Sequence, residues 1–122
     1  MTQRIIPITS ANFIAGRTPD QPLDLPSIFG NNHPLALEIG CGTGHFTRLL
    51  AAGRDGLAIG LDPNHEWIRY AHAHVAHGER YVAGRAESLP FPDRSFDYSV
   101  SVTALCFVKK QEQALREQIR VT

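Results

Sequence analysis

An α/β fold built on a parallel sheet is the architecture that this 122-residue sequence predicts, and three observations predict it. Short apolar runs at residues 36–39 (ALEI), 57–61 (LAIGL), 80–83 (RYVA) and 96–102 alternate with stretches whose apolar residues recur every three or four positions. Such alternation of strand and helix specifies parallel strands joined by right-handed crossovers. Three alternating glycines, Gly40, Gly42 and Gly44, follow the first run, where the chain must turn sharply from strand to helix and brings bare peptide groups close to a ligand. An acid, Asp62, closes the second run 22 residues after Gly40.

Taken in order, residues 1–34 hold five of the eight prolines (Pro7, Pro19, Pro22, Pro26 and Pro34) and no sustained period. They are expected to form an irregular arm with one helical turn near residues 27–29, packed on the sheet edge. The domain proper is expected over residues 35–122. Its first strand is Ala36–Ile39, and its first helix begins near Gly44 with Phe46, Leu49 and Leu50 as the apolar face at i, i+3 and i+4. Residues 57–61 form the second strand. Pro63 and Asn64 start a second helix, whose buried side is expected to carry Trp67, Ile68, Ala71 and Val75. The third strand is Arg80–Ala83, the fourth spans residues 96–102, and a helix over residues 112–121 (EQALREQIRV) closes the chain. There are no internal repeats.

Composition sets the class. The apolar fraction of 43% and the charged fraction of 20% are those of an ordinary globular domain, and one domain is all that the length allows. Twelve basic and twelve acidic residues cancel, so nothing marks a nucleic-acid surface. No apolar run approaches the roughly 18 residues of a membrane span and the N-terminus lacks a signal-peptide core, so a cytoplasmic location follows by default. Cys41 and Cys106 follow neighbouring strands but read as separate reduced thiols in such a compartment.

The glycine spacing bears on the ligand. A dinucleotide loop, GxGxxG, needs a glycine at position 45, which here is His45. Glu38 followed by GxGxG instead resembles the first motif of the class I S-adenosylmethionine-dependent methyltransferases, and Asp62 stands where that family places its ribose-binding acid. Residues 83–97 (AGRAESLPFPDRSFD) resemble the adenine-side loop and the approach to strand four in small-molecule methyltransferases related to quinone-biosynthesis enzymes. Residues 112–121 resemble the helix after that strand. The resemblance covers about residues 34–122 in the family's order, and because the N-terminal arm of that family often covers the active site, it implies that role as the alternative for residues 1–34.

It implies a Rossmann-like methyltransferase fold with a partial sheet in the order 3-2-1-4. It also implies S-adenosylmethionine as cofactor, S-adenosylhomocysteine as product and a small-molecule acceptor. Strands five to seven of that family do not follow Thr122, so a truncated domain is expected, its cofactor-binding half ending on the helix after strand four. Strand four is then an edge, covered by another chain or prone to self-association. The cofactor-binding residues implied are Glu38, Gly40, Cys41, Gly42, Gly44, Asp62, Pro63, Ala86, Glu87 and Thr103.

Each has an ordinary structural alternative. Glu38 either orients the amino end of the cofactor or caps nearby amides as a buried acid. Asp62 either accepts the ribose hydroxyls or caps the helix after Pro63, and both roles can coexist. Many relatives carry an aspartate at the position of Arg85, which cannot accept a hydrogen bond, leaving Glu87 or the backbone of Ala86 to meet the adenine. Thr103 and the residues up to Cys106 either border the methionine moiety or pack the strand end. His45 either approaches the cofactor carboxylate or simply opens the helix. His72, His74 and His77 do not share one helix face, so no metal site is expected.

No nucleophile or acid–base residue is identifiable, consistent with an in-line methyl displacement governed by alignment. Two other functions remain open: a binding module for S-adenosylmethionine without turnover, and an NAD-dependent oxidoreductase.

Overall fold

The computed structural model describes residues 35–53, 57–102, 104 and 107–122. The expected arm with its turn at 27–29, and with them Thr103 and Cys106, lie outside the described residues. Within them the order is β1 (Ala36–Ile39), α1 (His45–Ala52), β2 (Ala58–Asp62), α2 (His65–Ala73), β3 (Arg80–Ala83), β4 (Tyr98–Ser101) and α3 (Gln111–Val121). The strands are all parallel and lie in the order β3-β2-β1-β4. Ala36 pairs with Ala58 on one side and Tyr98 on the other, which puts Glu38 level with Gly60 and Val100.

Because side chains alternate across a strand, the two faces of the sheet have different partners. Leu37 and Ile39 of β1, with Ile59 and Leu61 of β2 and Val82 of β3, meet Ala114 and Val121 of α3 and the connection carrying Ala86, Leu89, Phe91 and Phe96. Phe91 and Phe96 meet edge to face, their centroids 4.9 Å apart. The opposite face is lined with small residues. Ala36 and Ala58 pack against Ala51 of α1, while Ile68 and Ala71 of α2 cover Tyr81 and Ala83.

That second face corrects the expectation for α1. Its buried residues are Thr47 and Ala51, whereas Phe46 is 36% and Leu49 59% exposed. Over Ala36, Ala58 and Gly60 the helix lies close to the sheet, and close approach selects small side chains rather than the largest apolar ones. On α2, Ile68 and Ala71 are buried as expected, but Trp67 is about half exposed and Val75 lies beyond the helix end.

β4 is shorter than expected. Its approach is diverted into the core, where the Phe96 amide donates to the Val121 carbonyl (2.9 Å). The Leu35 amide and the Asp97 carboxylate then meet at 2.5 Å, and the Asp97 amide returns a bond to the Leu35 carbonyl at 2.9 Å.

One guanidinium ties α3 to the β3–β4 connection. Arg120 donates to Glu117 (2.6 Å), to Asp93 (2.8 Å) and to the carbonyls of Phe91 (2.9 Å) and Leu89 (3.0 Å). Glu117 in turn accepts the Leu89 amide at 2.8 Å. Burial alone would raise the Glu117 carboxyl, but Arg120 and the Leu89 amide outweigh it and hold the group below its usual range.

β4 is the last strand of the described sheet and is half-buried along its length. Beside it an open groove of about 310 Å³ runs between Ser99 and Leu115, Gln118, Ile119 and Thr122 of α3.

Candidate functional site

The loop after β1 is built from backbone. Gly40, Gly42 and Gly44 have φ of +79°, +57° and +93°, the left-handed region that glycine enters without steric cost. The amides of Gly40 and Cys41 both donate to the Leu61 carbonyl, at 2.7 and 2.9 Å, so the loop is stitched to the end of β2.

The three glycines differ in what surrounds them. A Cβ on Gly40 would lie 2.2 Å from the Ala104 Cβ, and one on Gly44 would lie 2.6 Å from the Tyr81 hydroxyl. A Cβ on Gly42 would meet nothing within 4 Å among the described residues. Gly40 and Gly44 therefore fit the loop to the protein, and Gly42 presents its backbone to open space.

Asp62 lies at the end of β2, 6% exposed, and one of its oxygens accepts the Gly42 amide at 3.0 Å. The other accepts the Asn64 amide at 2.9 Å. A carboxylate has about four acceptor positions, so two remain for further donors. The capping role considered for Asp62 falls instead to Asn64, whose side chain accepts the Trp67 amide at 3.1 Å. Pro63 between them is exposed.

Glu38 is buried in β1, 3% exposed, and accepts the hydroxyl of Thr47 at 2.6 Å. Burial pushes its carboxyl above the usual range, the hydroxyl and amide of Thr47 oppose that, and the negative charge of Asp62 adds to it. The alternative of Glu38 as an acid serving nearby amides thus has a partial counterpart in the Thr47 amide. Cys41 is buried and a free thiol; loss of solvation, with Asp62 and Glu38 nearby, raises it well above the ordinary thiol range, which makes it a packing residue and not a nucleophile.

Two residues that the sequence did not single out complete the support. Glu79 is fully buried and accepts the His77 amide (2.9 Å), the Ala76 amide (3.3 Å) and the Tyr81 hydroxyl (2.9 Å). Burial would raise its carboxyl, but these bonds together hold it below the usual range. Tyr81, so anchored, backs Gly44 from β3, its hydroxyl 3.3 Å from the Gly44 carbonyl. The only trace of this in the sequence is the two-residue spacing of Glu79 and Tyr81 at the start of a strand.

Among the other expected residues, Ala86 turns its methyl into the core beside Leu89 and Phe91, leaving its backbone for any ligand. Glu87 is held from α3, its carbonyl accepting Gln113 at 2.8 Å, and its carboxylate lies 3.9 Å from exposed Arg85. The two acids and the glycine loop stand together at the carboxyl ends of β1 and β2, while Ala86 and Glu87 follow β3 at the same edge. His45 opens α1 and is exposed. Among the described residues no three of His, Cys, Asp and Glu are grouped to hold a metal ion, and no helix is long and apolar enough to cross a membrane.

Known proteins resemble this chain in sequence and fold. A family model described as a methyltransferase domain matches residues 37–122. The chain is 36% identical over 93 residues to a demethylmenaquinone methyltransferase of Geobacillus stearothermophilus, covering 71% of this chain and 40% of that protein. It is 44% identical over 64 residues to a tRNA (guanine-N(7)-)-methyltransferase of Syntrophotalea carbinolica, covering 50% of this chain and 28% of the relative. Among solved structures, a SAM-dependent methyltransferase of Thermotoga maritima, described as a possible histamine N-methyltransferase, superposes with a TM-score of 0.61 at 35% identity, covering 75% of this chain and 40% of that one. The chain thus spans well under half the length of these relatives.

Proposed function

From the premise that this chain belongs to the methyltransferase domain family, we propose that it binds S-adenosylmethionine over the loop of residues 40–44 and serves methyl transfer to a small-molecule acceptor. The observation that carries the reading is the pair of buried carboxylates, Glu38 and Asp62, set against a glycine loop whose central residue opens to free space. A site with that charge favours a ligand that brings positive charge and disfavours a pyrophosphate. S-adenosylmethionine supplies a sulfonium methyl group, bonded to a good leaving group, when bound.

In this reading Asp62 accepts the ribose hydroxyls on the acceptor positions that Gly42 and Asn64 leave open. Glu38 serves the ammonium group, and Gly40, Cys41, Gly42 and Gly44 let the backbone approach the cofactor. Pro63, Ala86 and Glu87 border the adenosine, with Thr103 assigned to the methionine side from the sequence alone. Holding the methyl carbon in line with the acceptor is the catalytic contribution asked of these residues.

A small molecule suits the acceptor because twelve acidic and twelve basic residues leave no net charge to attract a polynucleotide. The demethylmenaquinone relative supports it; the tRNA relative supports the other class. Titration calorimetry tests the cofactor reading directly. S-adenosylmethionine and S-adenosylhomocysteine are expected to bind and NADH is not; NADH binding more tightly than either overturns it. Binding without methyl release to quinone-type or amine acceptors would assign the chain a binding role alone.

A further inference from the structure

Gly60 sits in the middle of β2, where a residue without a side chain weakens a strand. A Cβ there would lie 2.7 Å from the Thr47 hydroxyl oxygen and 2.8 Å from the Cys41 Cβ. The strand gives up a side chain at the position level with Glu38, and the space is taken by a hydroxyl from α1. Thr47 is completely buried, occupies the sheet-facing side of its helix and donates to one oxygen of Glu38 at 2.6 Å. A carboxylate buried on a neutral hydroxyl is a costly arrangement for a core, because the charge has lost water and, among the described residues, has gained no ion pair. A cation delivered by a ligand would relieve that cost.

We propose that Thr47 is a positioning residue for the amino-acid end of the cofactor: its hydroxyl fixes the orientation of the Glu38 carboxylate toward the ligand ammonium group. The proposal rests on the cofactor reading above. It assigns Thr47 no contact with the ligand and no part in the chemistry.

The hydroxyl bond also favours the ionised form of Glu38, so its loss leaves burial less opposed. The other titratable groups acting on Glu38 are Asp62 at the end of β2, which disfavours its charge, and His45 at the start of α1, which favours it; the Cys41 thiol lies in the loop between them. Ammonium binding needs Glu38 ionised, so affinity falls as pH drops through its pKa. In Thr47→Val that fall moves to higher pH.

The test compares the wild-type chain with Thr47→Val, which keeps the shape and removes the hydroxyl, and Thr47→Ser, which restores it. Two ligands are titrated: S-adenosylhomocysteine, and 5′-methylthioadenosine, which has the same adenosine but no amino-acid end. Thr47→Val is expected to weaken S-adenosylhomocysteine about tenfold, the size of one charge-assisted hydrogen bond, with methylthioadenosine unchanged and Thr47→Ser near wild type. In the ligand-free chain, carboxyl-carbon NMR should record Glu38 titrating at higher pH in Thr47→Val.

Equal losses for the two ligands would make Thr47 a purely structural residue and overturn the proposal, as would an unchanged S-adenosylhomocysteine affinity or an unmoved Glu38 titration. A wild-type chain that binds neither ligand overturns the cofactor reading and this proposal with it. That failure is distinguished because it appears before any substitution is made.

Discussion

Two connections leave the same edge of the sheet and are held in opposite ways. The loop after β1 is fixed by glycine backbone conformations, amide bonds to Leu61 and Asp62, and close contact with Ala104 and Tyr81. The connection after β3 is anchored by buried Leu89, Phe91 and Phe96 and tied to α3 by Arg120, which reaches carbonyls and carboxylates. The restraint on the glycines is steric and buried, whereas the tie from Arg120 is ionic and partly solvated. The first is therefore expected to be sensitive to added bulk at its glycines, and the second to loss of the Arg120 charge.

The most severe way to break the contrast is Gly40→Ala. The added Cβ would sit 2.2 Å from Ala104 at a φ of +79°. Overpacking and left-handed strain each cost about 1–3 kcal/mol, so a loss of about 3 kcal/mol or more is expected in urea unfolding. An unchanged midpoint would mean that the loop is not sterically fixed. Gly42→Val, with open space above it, should keep more of the fold yet abolish cofactor binding by occupying that space.

Asp62→Ala comes next. Removing a charged acceptor from a partly buried site should weaken S-adenosylmethionine by about 1–3 kcal/mol in calorimetry. Equal affinity would take Asp62 out of the site.

Arg120→Gln tests the ionic side and should cost about 1 kcal/mol, since the side chain is partly exposed and its bonds are screened. The pH dependence sharpens this. Glu117 is held below its usual range, so the stability it contributes is present above its unfolded pKa and lost as pH falls through the folded value. That acid loss should shrink in Arg120→Gln. Glu38 has the opposite sign: its carboxyl is raised, so its ionisation costs stability as pH rises from the ordinary carboxylate range through its folded value, and Glu38→Gln should flatten that limb.

The smallest effect expected is weak self-association through the groove beside β4, where Ile119 is 76% and Leu115 46% exposed. Light scattering should give a mass that rises with concentration, and Ile119→Lys should suppress the rise. A monomer at all concentrations would remove this proposal.

The contrast also explains what could be read in advance. The strands, the glycine loop and the end of β2 were legible because they depend on local pattern: apolar runs, glycines where the chain must reverse, an acid at a strand end; the order of the strands followed from the family resemblance. The buried face of α1 was not. Counting Phe46 and Leu49 as core assumes a sheet that needs filling, and this one presents Ala36, Ala58 and Gly60 and admits Thr47 and Ala51 instead. The start of α2 was read correctly, but its side-chain cap proved to be Asn64 and not Asp62, whose two oxygens accept the Gly42 and Asn64 amides. Thr47 and Tyr81 act through contacts nine and 37 residues away in sequence, and no local spacing carries that information.

The register of the sheet bears on the order in which the chain assembles. Ala36 meets Ala58 after 22 intervening steps along the chain, and Ile59 meets Arg80 after 21, but Ala36 reaches Tyr98 only after 62. Each doubling of a closed loop adds about 0.6 kcal/mol of entropy cost, and here nearly threefold more chain must be gathered for the last pairing. The half-site of β1, β2 and their helices can therefore form while β4 is still searching. Amides of β4 should be the first in the sheet to exchange with solvent, so that this strand opens on its own while the glycine loop stays closed.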